Sequence, residues 1–176
     1  MANAKTVRVL LLAAACAGCA AGPTPMNPSE ALEFGRAPSN SFEEAFAKEE
    51  GARPIRWGGW IKTLTPGTGD SPGVDDKVKV NYRGTLVDGT EFDSSFKRGE
   101  PAVFALSGVI PCWTNGVAMM KVGSKAKLVC PAEAAYGDAG QPRGGIAGGA
   151  TLVFEIELLE ATKGEAAAKP AGALPN

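Results

Sequence analysis

The sequence predicts an α+β domain in which an antiparallel β-sheet carries one short α-helix across one face. Two observations lead to this fold class. Several short segments alternate apolar and polar residues, a pattern typical of strands with one face on a core and the other in water. One segment within the domain has helical periodicity instead. The length of 176 residues suits a single domain with terminal tails.

Five segments are predicted to be strands. Alternation is clearest in residues 77–87, where Val78, Val80 and Tyr82 share one face and polar residues occupy the other. The last segment gives the strongest signal, because four large apolar residues face one way: Leu152, Phe154, Ile156 and Leu158. The predicted strands are residues 55–64, 77–87, 101–106, 124–130 and 150–160.

Helical periodicity is strongest in residues 111–122. Pro111 suits the first turn of a helix, where its missing N–H costs nothing. Trp113, Val117 and Met120 then fall on one stripe, which indicates a helix with one buried side. In isolation these three residues would be interpreted as ordinary core.

Residues 41–52 are predicted to form a second, short helix before the main domain at 53–161. Ser41 followed three residues later by Glu44 is a capping-box pattern. The apolar content is too small for a stable isolated helix, so this segment either docks on the domain or frays.

Both termini are predicted to lie outside the folded domain. Residues 1–18 combine two basic residues with a short apolar run that ends in small residues, as in an export signal. The segment resembles a bacterial lipobox with cleavage before Cys19, although cleavage before Cys16 and ordinary signal-peptidase cleavage remain alternatives. Residues 19–40 are Pro-rich and indicate a flexible tether. Residues 162–176 indicate a disordered tail.

The composition excludes several classes of function. Charge is nearly balanced, with 18 Lys and Arg against 19 Asp and Glu, and no basic face indicates nucleic-acid binding. The chain contains no histidine. A His general base, a Ser-His-Asp triad and a His-ligated zinc are therefore excluded. We expect no metal and no cofactor.

Three long motifs occur in order along the chain: "VKVNYRGTLVDGTEFDSSFKRGEPAVFAL", "VIPCWTNGVAMMKVGSKAKLVCPAEAAYG" and "ATLVFEIELLE". Together they resemble the FKBP-type peptidyl-prolyl cis–trans isomerases, and the resemblance covers residues 55–160. The resemblance implies an antiparallel, half-open β-sheet wrapped around one short α-helix. It also implies that a substrate proline enters an aromatic pocket between the sheet and the helix.

The resemblance assigns roles to individual residues. It implies that Trp113 is the indole floor beneath the proline ring and that the amide of Ile110 receives a ligand carbonyl. Residues expected to act in catalysis are Tyr82, Asp93 and Tyr136, and those expected to bind substrate are Phe92, Arg98, Phe104, Val109, Ile110, Trp113, Ile146 and Phe154. Each of these has an ordinary alternative, as core packing for the rings or as a turn cap for Asp93.

The implied function is X–Pro bond rotation without a covalent intermediate, in aid of the folding of exported proteins. The alternative on the same fold is a non-catalytic proline-peptide-binding module or a periplasmic holdase chaperone. Expected partners are unfolded or nascent exported proteins and macrolide ligands, with a membrane reached through lipidated Cys19. We expect a monomer in the bacterial periplasm, anchored to the outer membrane.

Two cysteines remain in the domain once the export signal is set aside. Cys112 and Cys130 form an even pair in an oxidising compartment, which makes them candidates for a disulfide. The resemblance brings their positions near each other and so predicts that they pair behind Trp113. The alternative is two buried free thiols. Cys112 occupies a position where the family often has glycine, Ala102 one where it often has an aromatic residue, and "GGIAGG" at 144–149 replaces a proline-bearing loop.

Overall fold

The structure is a computed structural model that describes residues 40–164. The predicted signal peptide, Cys19, nearly all of the tether and the tail beyond Gly164 lie outside the described residues. Within them, no helix is both long enough and apolar enough to cross a membrane.

The described residues form three α-helices and seven strands. The helices are α1 (Ser41–Ala47), α2 (Ser95–Arg98) and α3 (Pro111–Ala118). The strands are β1 (Ala52–Pro54), β2 (Trp60–Thr65), β3 (Lys77–Leu86), β4 (Glu91–Ser94), β5 (Ala102–Ala105), β6 (Lys125–Cys130) and β7 (Leu152–Thr162). All strand pairs are antiparallel.

The strands form one sheet in the order β1-β2-β6-β7-β3-β4, and β5 also pairs with β3. β7 pairs with β3 along the whole length of β3, so β4 and β5 share the opposite edge of that strand. The chain leaves this edge between β4 and β5, and α2 lies in the interruption. The sheet is therefore half open beside α2, and the predicted fold class is confirmed.

The predicted alternation of β3 and β7 is confirmed by burial. Val78, Val80 and Tyr82 are buried while their neighbours along β3 are not. The four apolar residues of β7 are buried in the same core, which also receives the buried side of α3. Helix and sheet approach closely at Gly116, where a Cβ would lie only 2.6 Å from Cδ2 of Leu128.

α1 docks on the opposite face of the sheet. Phe46 is buried there against Trp60, Val129 and Val153, in a second apolar cluster. A buried polar network supports it: the side-chain amide of Asn40 donates to the Glu43 carboxylate (2.9 Å) and to the Thr151 hydroxyl (2.8 Å). The predicted helix therefore docks and does not fray.

The cap and the end of α1 differ from the prediction. Asn40, and not Ser41, is the N-cap: its side-chain oxygen accepts from the amides of Phe42 (3.1 Å) and Glu43 (3.0 Å). The helix ends at Ala47 with Lys48 as its C-cap, and by Ala52 the chain already pairs with Lys62 in β2.

Three other predicted boundaries are wrong. The first strand, predicted for 55–64, is interrupted by a turn in which the amide of Ile55 donates to the carbonyl of Gly59 (2.9 Å). α3 ends at Ala118 rather than at residue 122, with Met119 as its C-cap. β7 continues through Thr162, and the amide of Gly164 donates to the buried Asp76 carboxylate (3.1 Å), so the folded domain extends beyond residue 161.

Candidate active site

A cavity of about 310 Å³ lies between the sheet and the N-terminal end of α3. Its lining is dominated by aromatic rings, with one carboxylate and one exposed phenol. The lining residues are Tyr82, Phe92, Asp93, Phe104, Gly108, Val109, Ile110, Trp113, Tyr136 and Phe154. Nine of these ten were predicted as site residues, so the structure brings most of the predicted site into one cavity.

Trp113 forms the floor of the cavity. Three rings stand nearly perpendicular to its indole, with centroid distances of 5.2 Å for Tyr82, 5.5 Å for Phe104 and 5.3 Å for Phe154. Phe92 meets Phe154 in the same edge-to-face manner at 5.6 Å. Edge-to-face contacts are a preferred geometry for aromatic pairs and fix each ring relative to the next.

The indole N–H of Trp113 is buried and has no acceptor among the described residues. A buried Trp usually finds a partner for this group, because leaving it unpaired costs free energy. The position of Trp113 is therefore set by its ring contacts and by α3, and not by a hydrogen bond.

The mouth of the cavity has polar groups on two sides. The segment Gly108–Ile110 leads into α3, and within residues 40–164 the amide of Ile110 makes no hydrogen bond. Tyr136 borders the cavity from the turn after β6 and is 38% exposed. Each offers an unused donor to a carbonyl that enters with an apolar ring.

Tyr82, Asp93 and Arg98 form a hydrogen-bonded cluster on one wall. The Tyr82 hydroxyl donates to Oδ2 of Asp93, and Arg98 donates to Oδ1 of Asp93 (2.5 Å) and to the Tyr82 hydroxyl (2.8 Å). The guanidinium also lies over the Tyr82 ring, 5.4 Å from its centroid. Arg98 is outside the cavity lining but holds two residues that are in it.

This cluster sets the charge states on the wall. Burial would raise the pKa of Asp93, but hydrogen bonds from Tyr82 and Arg98 and the charge of Arg98 outweigh it and hold that pKa below its usual 3.8. Burial, together with the hydrogen bond to Asp93, raises the pKa of Tyr82 above its usual 10.0. Asp93 is therefore ionised and Tyr82 neutral across the physiological range.

The structure does not bring Ile146 to the cavity wall. Ile146 is buried in the main core, and its backbone bridges to Gln141 at the base of the 137–149 loop. Conversely, Gly108 lines the cavity and was not predicted. It contributes backbone alone, and no side-chain pattern in the sequence marks such a position.

Cys112 and Cys130 lie behind the floor of the cavity. Both are fully buried, and the structure joins their sulfur atoms, with Cα atoms 5.7 Å apart. Cys112 directly precedes Trp113 in α3, and Cys130 ends β6. A bond between them would tie the helix that carries the floor to the sheet.

The arrangement suits the binding of an apolar ring that carries a carbonyl beside it. Within residues 40–164, no group of three His, Cys, Asp or Glu side chains is placed to hold a metal ion. The cavity offers an apolar volume for a ring and two donors at its mouth. The fold and site together define a small α+β domain with an aromatic pocket that suits an apolar ring next to a carbonyl.

Comparison with known proteins identifies the family. The family model described as FKBP-type peptidyl-prolyl cis-trans isomerase matches residues 69–159. The chain belongs to the FKBP-type peptidyl-prolyl cis-trans isomerase family.

Two curated relatives show how far the similarity extends. The chain is 49% identical over 124 residues to the FKBP-type peptidyl-prolyl cis-trans isomerase FkpA of Escherichia coli, which covers 70% of this chain and 45% of that protein. It is 40% identical over 134 residues to a protein of Legionella longbeachae named outer membrane protein MIP, covering 74% of this chain and 56% of that protein. The chain thus spans about half the length of these relatives.

Two solved structures match the fold. The crystal structure of FkpA from Escherichia coli aligns with a TM-score of 0.66 at 45% identity, covering 77% of this chain and 59% of that one. A peptidyl-prolyl cis-trans isomerase from Pseudomonas syringae aligns with a TM-score of 0.66 at 34% identity, covering 78% of this chain and 98% of that one.

Proposed function

We propose that this chain catalyses cis–trans rotation of X–Pro bonds in the aromatic cavity. The observation that carries the proposal is the open volume above Trp113: the rings contact one another and still leave about 310 Å³ between them. Aromatic residues that only filled a core would leave no such space. A pyrrolidine ring is a suitable occupant, since its carbons are apolar and its nitrogen belongs to an amide whose carbonyl needs polar contacts.

The reaction requires no nucleophile, because no bond is broken. Amide conjugation creates a barrier of about 18–20 kcal/mol to X–Pro rotation. The twisted transition state has lost this conjugation and is less charge-separated than the planar amide. A dry aromatic pocket therefore disfavours the planar form more than the twisted one. Lowering the barrier by ~5–7 kcal/mol corresponds to roughly four to five orders of magnitude in rate.

The polar groups at the mouth have separate roles in this proposal. The Ile110 amide binds a substrate carbonyl, and the Tyr136 hydroxyl holds the carbonyl next to the proline while the prolyl side rotates. Asp93 and Arg98 act through Tyr82. By holding the Tyr82 phenol in place, they set the shape of one wall of the cavity and the electric field inside it. They are therefore positioning residues for the substrate proline ring above Trp113.

A protease-coupled assay on a short proline peptide tests the proposal. We expect the protein to accelerate isomerisation. Tyr136→Phe removes one hydrogen bond and should lower kcat/KM about two- to tenfold, while Trp113→Leu should lower it by more. Phe96→Ala is the control, because Phe96 is an exposed aromatic residue outside the cavity. A wild-type rate equal to the uncatalysed rate would favour the non-catalytic binding module or holdase instead.

The same cavity is proposed to bind macrolides. Such a ligand would occupy the volume above Trp113 and compete with the proline ring. Competitive inhibition by a macrolide in the peptide assay, lost in Trp113→Leu, would support this. Binding that survives the loss of the indole would place the macrolide elsewhere.

We also propose that the protein acts in the bacterial envelope on unfolded exported proteins, as a monomer anchored through lipid on Cys19. The apolar leader before Cys19 and the relative named an outer membrane protein support this location. Fractionation of cells that express wild type or Cys19→Ser tests the anchor. Loss of the membrane-bound fraction in the variant is expected, and equal partitioning of both proteins would contradict it. Light scattering of the domain tests the monomer.

The Cys112–Cys130 disulfide is a further proposal. Oxidising export and the 5.7 Å separation of their Cα atoms support it, since this separation lies in the usual range for disulfides. Mass spectrometry of unreduced digests should show the two cysteine peptides linked. Alkylated free thiols at both positions would contradict the bond.

A further inference from the structure

One exposed turn, which packs against Cys112 and Ala134, has features that the proline site does not use. The turn from Ile55 to Gly59 carries Trp57, whose side chain is 69% exposed, the highest exposure among the large apolar residues described. Trp side chains are highly buried on average, so an indole this open is unusual.

The backbone at Trp57 is strained. Its φ is +72°, and among residues 40–164 it is the sole non-glycine residue with positive φ. Side chains other than Gly, Asn and Asp are disfavoured there, and such strain persists where function requires it. The glycines that follow, Gly58 and Gly59, also have positive φ, so the turn itself needs this conformation but does not need an indole.

Arg56 completes a compact exposed pair. Its guanidinium lies over the Trp57 ring at 5.6 Å from the centroid, and both residues face solvent. The stacking holds the indole in one orientation. Trp and Arg are the residue types most enriched among those that dominate binding energy in protein interfaces.

The turn packs on two buried residues, each of which stands two positions along the chain from a donor at the mouth of the cavity. Gly59 lies against Cys112, two residues after Ile110: a Cβ at position 59 would be 3.3 Å from Sγ of Cys112. Gly58 lies against Ala134, two residues before Tyr136: a Cβ at position 58 would be 3.6 Å from that of Ala134. The hydrogen bonds from Ile55 to Gly59 and from Gly58 to Ile55 keep the turn rigid.

We propose that Arg56 and Trp57 form an accessory site for the substrate polypeptide, which contacts residues that flank the proline held above Trp113. This inference rests on the proposed isomerase function. The occupant is the remainder of the same unfolded chain, since the turn packs on the segments that continue to both mouth donors, Ile110 and Tyr136. An exposed indole with a stacked cation favours apolar and aromatic residues of that chain and tolerates acidic ones.

The test compares a short and a long substrate. For wild type, Trp57→Asn and Trp57→Gly, kcat/KM is measured on a proline tetrapeptide and on a small protein whose refolding is limited by one prolyl bond. Asn and Gly both tolerate the positive φ of this position, so the fold is retained, and melting temperature checks this. Leu64→Ala is the matched control, as an exposed apolar residue at the far end of β2.

In both Trp57 variants the ratio of protein to tetrapeptide kcat/KM should fall about tenfold, the loss typical of an interface residue of this kind, and in Leu64→Ala it should not change. An unchanged ratio would overturn the proposal, whether both kcat/KM values stay the same or both fall equally. If wild type failed on the tetrapeptide, the isomerase function would be wrong. Fluorescence anisotropy with a labelled, permanently unfolded protein would then still decide whether Trp57 contributes to binding.

Discussion

Reducing the proposed Cys112–Cys130 disulfide should lower the stability of the domain by a predictable amount. The bond would join the first turn of α3 to the last residue of β6, with 18 residues of sequence separation. Both cysteines are fully buried. The bond would attach the helix that supplies the cavity floor to the sheet at a second place, in addition to the close contact at Gly116.

The expected magnitude follows from the length of the closed loop. In the chain-entropy account, a cross-link over 18 residues removes about 11 cal/mol/K of entropy from the unfolded chain, or about 3.2 kcal/mol at 25 °C. A domain of this size loses about 4 °C of Tm for each kcal/mol. Reduction should therefore lower Tm by about 10–13 °C, provided the native geometry is unchanged.

Thermal melts followed by circular dichroism, with and without reductant, measure this difference. The control is the double variant Cys112→Ala, Cys130→Ala, which should melt near the reduced wild type and should not respond to reductant. Wild-type Tm that is the same in both conditions would refute the reasoning, because it would mean that the thiols are free or that the loop is already constrained in the unfolded chain.

Three further predictions test the wall, the helix contact and the cap. In an uncoupled isomerase assay, kcat/KM should be flat across neutral pH. Because the pKa of Asp93 is lowered, the hydrogen bonds among Tyr82, Asp93 and Arg98 are intact above pH 3.8 and are lost only as pH falls through the folded-state pKa. Because the pKa of Tyr82 is raised, its deprotonation and the resulting loss of activity begin only above pH 10.0. Gly116→Ala should cost about 1–3 kcal/mol in chemical unfolding by overpacking against Leu128, and an unchanged midpoint would show that α3 can shift freely. Asn40→Ala should cost about 1 kcal/mol through loss of the α1 cap, whereas Ser41→Ala should cost much less.

The sequence predicts the main core faces because one physical rule dominates there. In β3 and β7, every second residue faces the core and every second residue faces solvent or α1, so alternation and burial coincide. Val129 shows the limit of the rule. It lies on the opposite face of β6 from Leu128 and is nevertheless fully buried, because α1 covers that face. Docking of α1 is a tertiary contact that alternation alone does not contain.

The sequence fails where backbone conformation or a distant partner decides. Residues 55–64 are rich in β-formers, yet three consecutive positive φ values from Trp57 to Gly59 interrupt the strand. Asn40 is the N-cap in place of Ser41, because its side chain also hydrogen-bonds to Glu43 and to Thr151, which is more than a hundred residues away in the sequence. Such long-range polar partners leave no local pattern in the sequence.

The cavity persists because its floor and walls are fixed independently of any ligand. Three rings set edge to face around Trp113 have centroids 5.2–5.5 Å from the indole, and an aromatic side chain has few rotamers with which to close the space. α3 already approaches the sheet so closely at Gly116 that no side chain fits between them, and the proposed Cys112–Cys130 disulfide would oppose its moving away. The stripe that the sequence presents as ordinary helix core is therefore both core and site: one edge of the indole packs on the sheet, and its other surface bounds a volume that the protein leaves open.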